Sequence, residues 1–212
     1  GIKPHALNSG DATTPQPRGC TKVYYKDIEQ VHITLGTIGS AMNDERRWTY
    51  ILLNTMLGGS MSSMLFQEAR EKLGLVYSIY SYLSSYQDCG VLAMYAATTP
   101  DNIRKTLEVI GLQMRRFKDG DLKDESIDDV KAQIKGNLLL SRESTISRMS
   151  SLAKNEIYYH REVSVEEVLE KIQAVSIDDI ICLANDIFTR ENLTLVSLGK
   201  MDEQDIKAIT IL

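Results

Sequence analysis

Residues 57–82, LGGSMSSMLFQEAREKLGLVYSIYSY, hold the side chains whose types and spacing could do chemistry. Gly58-Gly59-Ser60 is a flexible run ahead of a helix N-terminus, where exposed backbone N–H groups could meet a peptide or an anion. Arg70 and Tyr77 stand seven residues apart, separated by a helix end, Gly74 and a strand start. Such a turn can bring both side chains to one end of a sheet. Arginine offers a fixed fork of donors and tyrosine a single hydroxyl. Together they could hold a substrate carbonyl or stabilise an oxyanion. The plainer reading is a C-terminal cap arginine and an aromatic core residue, because cations are common at helix ends. Spacing leaves both readings open.

Other chemistries find little support. The histidines are His5, His32 and His160, no two of them close in sequence, and neither HExxH nor HxxEH is present. Zinc sites need three or four clustered side chains. Each histidine therefore reads as solvated or hydrogen-bonded, and no metal site is expected. GxSxG, Walker A and GxGxxG patterns are absent too. Cys20, Cys89 and Cys182 are scattered and odd in number, which offers neither a disulfide framework nor a CxxC zinc site. A reducing compartment suits free thiols. A net charge of −5 argues against a general nucleic-acid binder. No apolar run reaches the length of a membrane span. Residues 1–20 lack the basic and apolar regions of a signal peptide. A cytoplasmic setting is the resulting expectation.

The elements that must position these residues follow from periodicity. With 212 residues, 43% apolar and 25% charged, the chain has ordinary globular proportions. Pro4, Pro15 and Pro17 with intervening small polar residues make residues 1–19 a linker or lead-in. The folded domain is expected over 20–212. Strands are expected at Thr21–Asp27 and through Val31, Ile33 and Leu35, ended by Gly36 and Gly39. Glu45–Leu57 changes to helical period, with Trp48, Ile51, Leu52, Thr55 and Met56 on one face. A second helix runs from Ser63 to Lys72, with Gly74 as its left-handed cap. Val76–Leu83 and Val91–Ala97 are strands.

Thr99-Pro100-Asp101 starts a helix whose buried stripe is Ile103, Leu107, Ile110, Met114 and Phe117. Helices from Lys123 to Arg142 and from Thr145 to Tyr159 follow. Ser164 and Glu167 form a capping box for the next helix. Ser176 starts the last one, and Leu193–Gly199 is a final strand. Strands joined by short links favour antiparallel pairing. The fold class is therefore α+β, a mostly antiparallel sheet packed with helices.

The central stretch resembles the C-terminal half of pitrilysin-like zinc peptidases, family M16, and most closely its bacterial processing-peptidase type. The resemblance rests on Gly58-Gly59, Ser62-Ser63-Met64-Leu65-Phe66-Gln67, Arg70-Glu71-Lys72, Gly74-Leu75 and Tyr77. Lys26-Asp27 with Glu29-Gln30-Val31-His32 fits the family's opening strand pair, and the series Ile172–Val175, Ser176–Phe188 and Leu193–Gly199 fits its close. About residues 20 to 200 are covered. Met64 stands where the family usually has arginine.

The resemblance implies the processing-peptidase-like (LuxS-like) metallohydrolase half. In such proteins zinc sits in an N-terminal half that carries HxxEH, and a metal-free C-terminal half closes a chamber over peptides. It implies that Arg70 and Tyr77 reach substrate or intermediate, and that Gly58, Gly59 and Ser60 handle substrate. It gives this chain no cofactor of its own. Zinc lies in the missing half, where it would polarise the scissile carbonyl and activate water. The implied partners are that zinc-bearing half or subunit, a peptide substrate and, in isolation, a second copy of the chain. A non-catalytic M16-like subunit or scaffold is the alternative, and a stand-alone α+β binding domain is a third reading.

Overall fold

The computed structural model describes Pro15, residues 18–122 and residues 127–202. Most of the expected lead-in, His5 and the first residues of the helix expected from Lys123 lie outside the described residues. Five strands form one sheet: β1 (Cys20–Tyr25), β2 (Val31–Ile38), β3 (Val76–Ser85), β4 (Gly90–Thr98) and β5 (Thr194–Gly199). Their order is β1-β5-β2-β4-β3. All pairings are antiparallel except β1 with β5, which is parallel. The α+β expectation therefore holds, with one parallel edge.

Six α-helices accompany the sheet among the described residues: α1 (Arg47–Leu57), α2 (Ile103–Asp119), α3 (Ile127–Ser141), α4 (Thr145–Tyr159), α5 (Val165–Ala174) and α6 (Ile177–Ile187). Strand alternation decides which sheet face they cover. Val31, Ile33 and Leu35 of β2 and Leu92, Met94 and Ala96 of β4 are buried and join Phe117 of α2 and Leu183 of α6 in one core. The other face carries His32 and Thr34, Tyr95, Tyr80 and Tyr82, and Leu198. Among the described residues no helix covers it.

Several boundaries move for physical reasons. β2 runs through Gly36 to Ile38, because Gly36 points to the open face and its missing side chain disturbs no packing. In α1 the buried set is Thr49, Tyr50, Leu52, Leu53, Met56 and Leu57, while Trp48 and Ile51 are only half-buried. This helix buries a wider arc than one stripe because α6 and β3 both pack on it. The α2 stripe is buried throughout. Ser164 caps α5 by accepting from the Glu167 N–H at 3.1 Å. The Glu167 carboxylate does not close a box, because Arg161 holds it at 2.6 and 2.7 Å. The reciprocal capping box is at Ser176 and Asp179, which opens α6.

Candidate functional site

The residues singled out between 58 and 77 occupy three consecutive pieces of backbone, each with an unusual feature. The first is the end of α1. The N–H groups of Gly58 and Gly59 both donate to the Asn54 carbonyl, at 3.1 and 2.8 Å. Gly58 is buried, and its carbonyl accepts from the Ser81 N–H on β3 at 2.9 Å. The expectation of free glycine amides is corrected here: both close the helix end. A Cβ on Gly58 would lie 2.6 Å from the Ser81 backbone nitrogen, so the glycine permits a close approach between helix end and strand. Ser60 is half-buried, with its hydroxyl 3.0 Å from that of Ser62.

The second piece is the helix expected from Ser63. Met64 and Leu65 open it as α-helix, and Phe66–Lys72 is π-helical. The Leu73 N–H reaches back five residues to the Glu68 carbonyl at 3.1 Å. Single-turn π segments are rare and frequent at functional sites. The segment is pinned by the fully buried Leu65 and Ala69, while Arg70 is exposed, its guanidinium 5.0 Å from the Phe66 ring centre. Gly74 follows with φ +58, the left-handed turn expected there. Met64, at the family's usual arginine position, is buried in the core, so packing is its work in this chain.

The third piece is the start of β3. Val76 pairs with Thr98 and Ser78 with Ala97, so Tyr77 is the extra residue of a β-bulge. A bulge flips the phase of the strand and re-aims one side chain. Val76 is inward before it, and Ile79 is inward after it. Tyr77 is 74% exposed, which removes the aromatic-core reading for it. β3 is also the sheet edge, as the strand order shows.

Beyond the bulge an aromatic row extends across the open face. Tyr80 lies 6.1 Å from Tyr82 and 5.0 Å from Tyr95, and Tyr95 lies 6.0 Å from His32. His32 Nδ1 is 2.7 Å from the Tyr95 hydroxyl, so this histidine is hydrogen-bonded as expected. Burial pushes the Tyr95 hydroxyl up, with Tyr80 adding and a Ser78 hydrogen bond opposing, so it stays protonated at neutral pH. In the sequence this row shows only as the Tyr77, Tyr80, Tyr82 spacing, in a strand whose alternation the bulge shifts. Among the described residues, no group of three or more His, Cys, Asp and Glu side chains is placed to hold a metal ion. No helix there is long and apolar enough to cross a membrane.

The sequence profile of the peptidase M16 inactive domain matches residues 3–134, more than half of the chain. The chain belongs to the M16 peptidase family. Its M16 relatives include a protein of Streptomyces coelicolor described as an uncharacterized zinc protease, 37% identical over 188 residues. That match covers 89% of this chain and 41% of the relative. A Bacillus subtilis protein with the same description is 39% identical over 173 residues, covering 81% of this chain and 42% of its own length. A crystal structure of a protease from Helicobacter pylori shares the fold, with a TM-score of 0.81 at 21% identity, over 93% of this chain and 48% of that one. The chain thus spans less than half the length of the curated relatives it matches.

Proposed function

We propose that this chain is the substrate-binding, metal-free half of a zinc-dependent endopeptidase, acting on peptides together with a zinc-bearing N-terminal half or subunit. The observation that carries the reading is Tyr77. A bulge turns this hydroxyl outward at the sheet edge, one glycine turn from the exposed Arg70, on a chain of the M16 family. The metal chemistry would come from zinc in the partner half, a reading supported by relatives described as zinc proteases. This chain's part is to donate hydrogen bonds from Arg70 and Tyr77 to the substrate or the intermediate and to hold the peptide in register. The aromatic row on the open face gives an apolar wall for its side chains. Gly58 serves indirectly by fixing β3 and Gly59 by closing the end of α1, and Ser60 is the member of that run whose hydroxyl remains on the surface side. Three free cysteines fit a reducing, cytoplasmic setting.

Reconstitution tests the reading. The chain alone is expected to hydrolyse no peptide and to retain well under one zinc after dialysis. Adding the zinc-bearing half of the same protein is expected to restore hydrolysis. Hydrolysis by the chain alone, or no gain from the added half, would count against it.

Assembly gives a second expected outcome. α4 has no buried residue, and Met149 and Ile157 on its outer side are 64% and 67% exposed. With the open sheet face, this leaves much apolar surface uncovered. Sedimentation velocity of the isolated chain is expected to show concentration-dependent self-association, reduced by Met149→Glu with Ile157→Glu. A strictly monomeric chain at high concentration would remove this proposal.

A further inference from the structure

A concavity that neither Arg70 nor Tyr77 lines is bounded by α1, α3, α4, the start of α5 and the C-terminal end of β3. Its volume is about 550 Å³, within the range of small-molecule sites. One wall is apolar, made by Trp48, Ile51, Leu83, Leu138 and Val168. Among the described residues three cations also line it, Arg47, Arg142 and Lys154, and no aspartate or glutamate does. In a chain with more acids than bases, that separation of charge is a local feature.

Arg47 is built in rather than loosely placed. Its guanidinium donates to the Met42 carbonyl at 2.6 Å and to the Tyr159 hydroxyl. It stacks 4.1 Å from the Trp48 ring centre and 4.7 Å from that of Tyr159. The Tyr159 hydroxyl donates in turn to the same Met42 carbonyl at 2.8 Å. Burial pushes the Tyr159 hydroxyl up against the opposing Arg47 charge, so the tyrosine brings no negative charge into the cleft. No carboxylate among the described residues is paired with Arg142 or Lys154. Glu167 on α5 is engaged by Arg161.

The side of α4 that lines the cleft is mostly polar. Ser147, Ser150, Ser151 and Lys154 line the cleft with Ile146, while the exposed Met149, Leu152 and Ile157 do not line it. A helix that served only to complete a core would turn its apolar stripe inward. Interiors are close-packed, and a hollow of this size lined by hydroxyls and cations against an aromatic wall is not core packing. Such a cleft matches a ligand with an apolar body and a negatively charged head.

We propose that this cleft binds a small amphipathic organic anion, its carboxylate or phosphate head met by Arg47, Arg142 and Lys154 and its apolar body laid against Trp48 and Ile51. The site uses neither Arg70 nor Tyr77 and does not depend on that assignment.

Trp48 is the only tryptophan, so its fluorescence reads the cleft directly. The chain would be titrated with decanoate, decyl phosphate, decanol and decyltrimethylammonium, each below its micelle concentration. Decanoate or decyl phosphate is expected to shift the Trp48 emission saturably, and the tighter of the two identifies the head group. Decanol and the ammonium probe are expected to bind about tenfold or more weakly, the scale of a lost charged hydrogen bond. The Arg142→Gln, Lys154→Gln double variant is expected to weaken the anion by a similar factor with an unchanged melting temperature. The absence of a saturable response to either anion would overturn the proposal. Equal binding of the neutral or cationic probe would do so too, as would unaltered anion affinity in the double variant.

Discussion

Tyr77→Phe in the assembled peptidase is expected to lower peptide turnover by about a hundredfold, close to 3 kcal/mol, the scale of one lost transition-state donor. The substitution removes one hydroxyl and keeps the ring. Because Tyr77 is 74% exposed and unpaired at a bulge, folding and zinc content should be unchanged. Arg70→Ala should act in the same direction, with a larger effect on KM if its guanidinium also orients the ground-state peptide. Steady-state kinetics of the two variants, with metal analysis and thermal unfolding beside them, separate the effects. Wild-type turnover in Tyr77→Phe would return Tyr77 to a surface residue without a catalytic role. A fall in melting temperature would show instead that the hydroxyl supports the fold.

Much of this arrangement was legible in the sequence, because local rules act on contiguous residues. The alternation in β2 and the stripe of α2 each report one buried face, and both faces are buried as read. Gly74 was legible because a left-handed turn between helix and strand favours glycine. The same motif gave the family.

What stayed hidden depends on contacts between distant segments. The π turn at Phe66–Lys72 has no periodic signal of its own; burial of Leu65 and Ala69 fixes it from outside. The bulge at Tyr77 depends on the register of β3 against β4. His160 ends α4 with φ 51, a position where sequence rules look for glycine or asparagine. Glu167 looked like a box-closing residue because Arg161, three places before Ser164, carries no mark of where its side chain will turn.

Gly58→Ala is expected to destabilise the chain by about 2–4 kcal/mol, from overpacking and the loss of one backbone hydrogen bond. The new Cβ would sit 2.6 Å from the Ser81 nitrogen and 2.8 Å from its hydroxyl, too close for either to remain. Those atoms belong to a strap that ties the end of α1 to the edge strand. Ser81 N–H donates to the Gly58 carbonyl, and Ser81 Oγ lies 3.1 Å from the Asn54 carbonyl and 2.8 Å from its side-chain oxygen. Relief would come by pushing α1 and β3 apart, four residues after the Tyr77 bulge. The melting temperature should fall by roughly 4–16 °C for a domain of this size. Turnover of the assembled enzyme should fall with it, since the edge that carries Tyr77 moves. Ser60→Ala touches only the exposed hydroxyl pair with Ser62 and should melt with the wild type. If Gly58 met substrate directly, Gly58→Ala would keep the wild-type melting temperature and lose activity alone. That outcome would replace the strap by a peptide contact, and thermal unfolding followed beside peptide turnover decides between them.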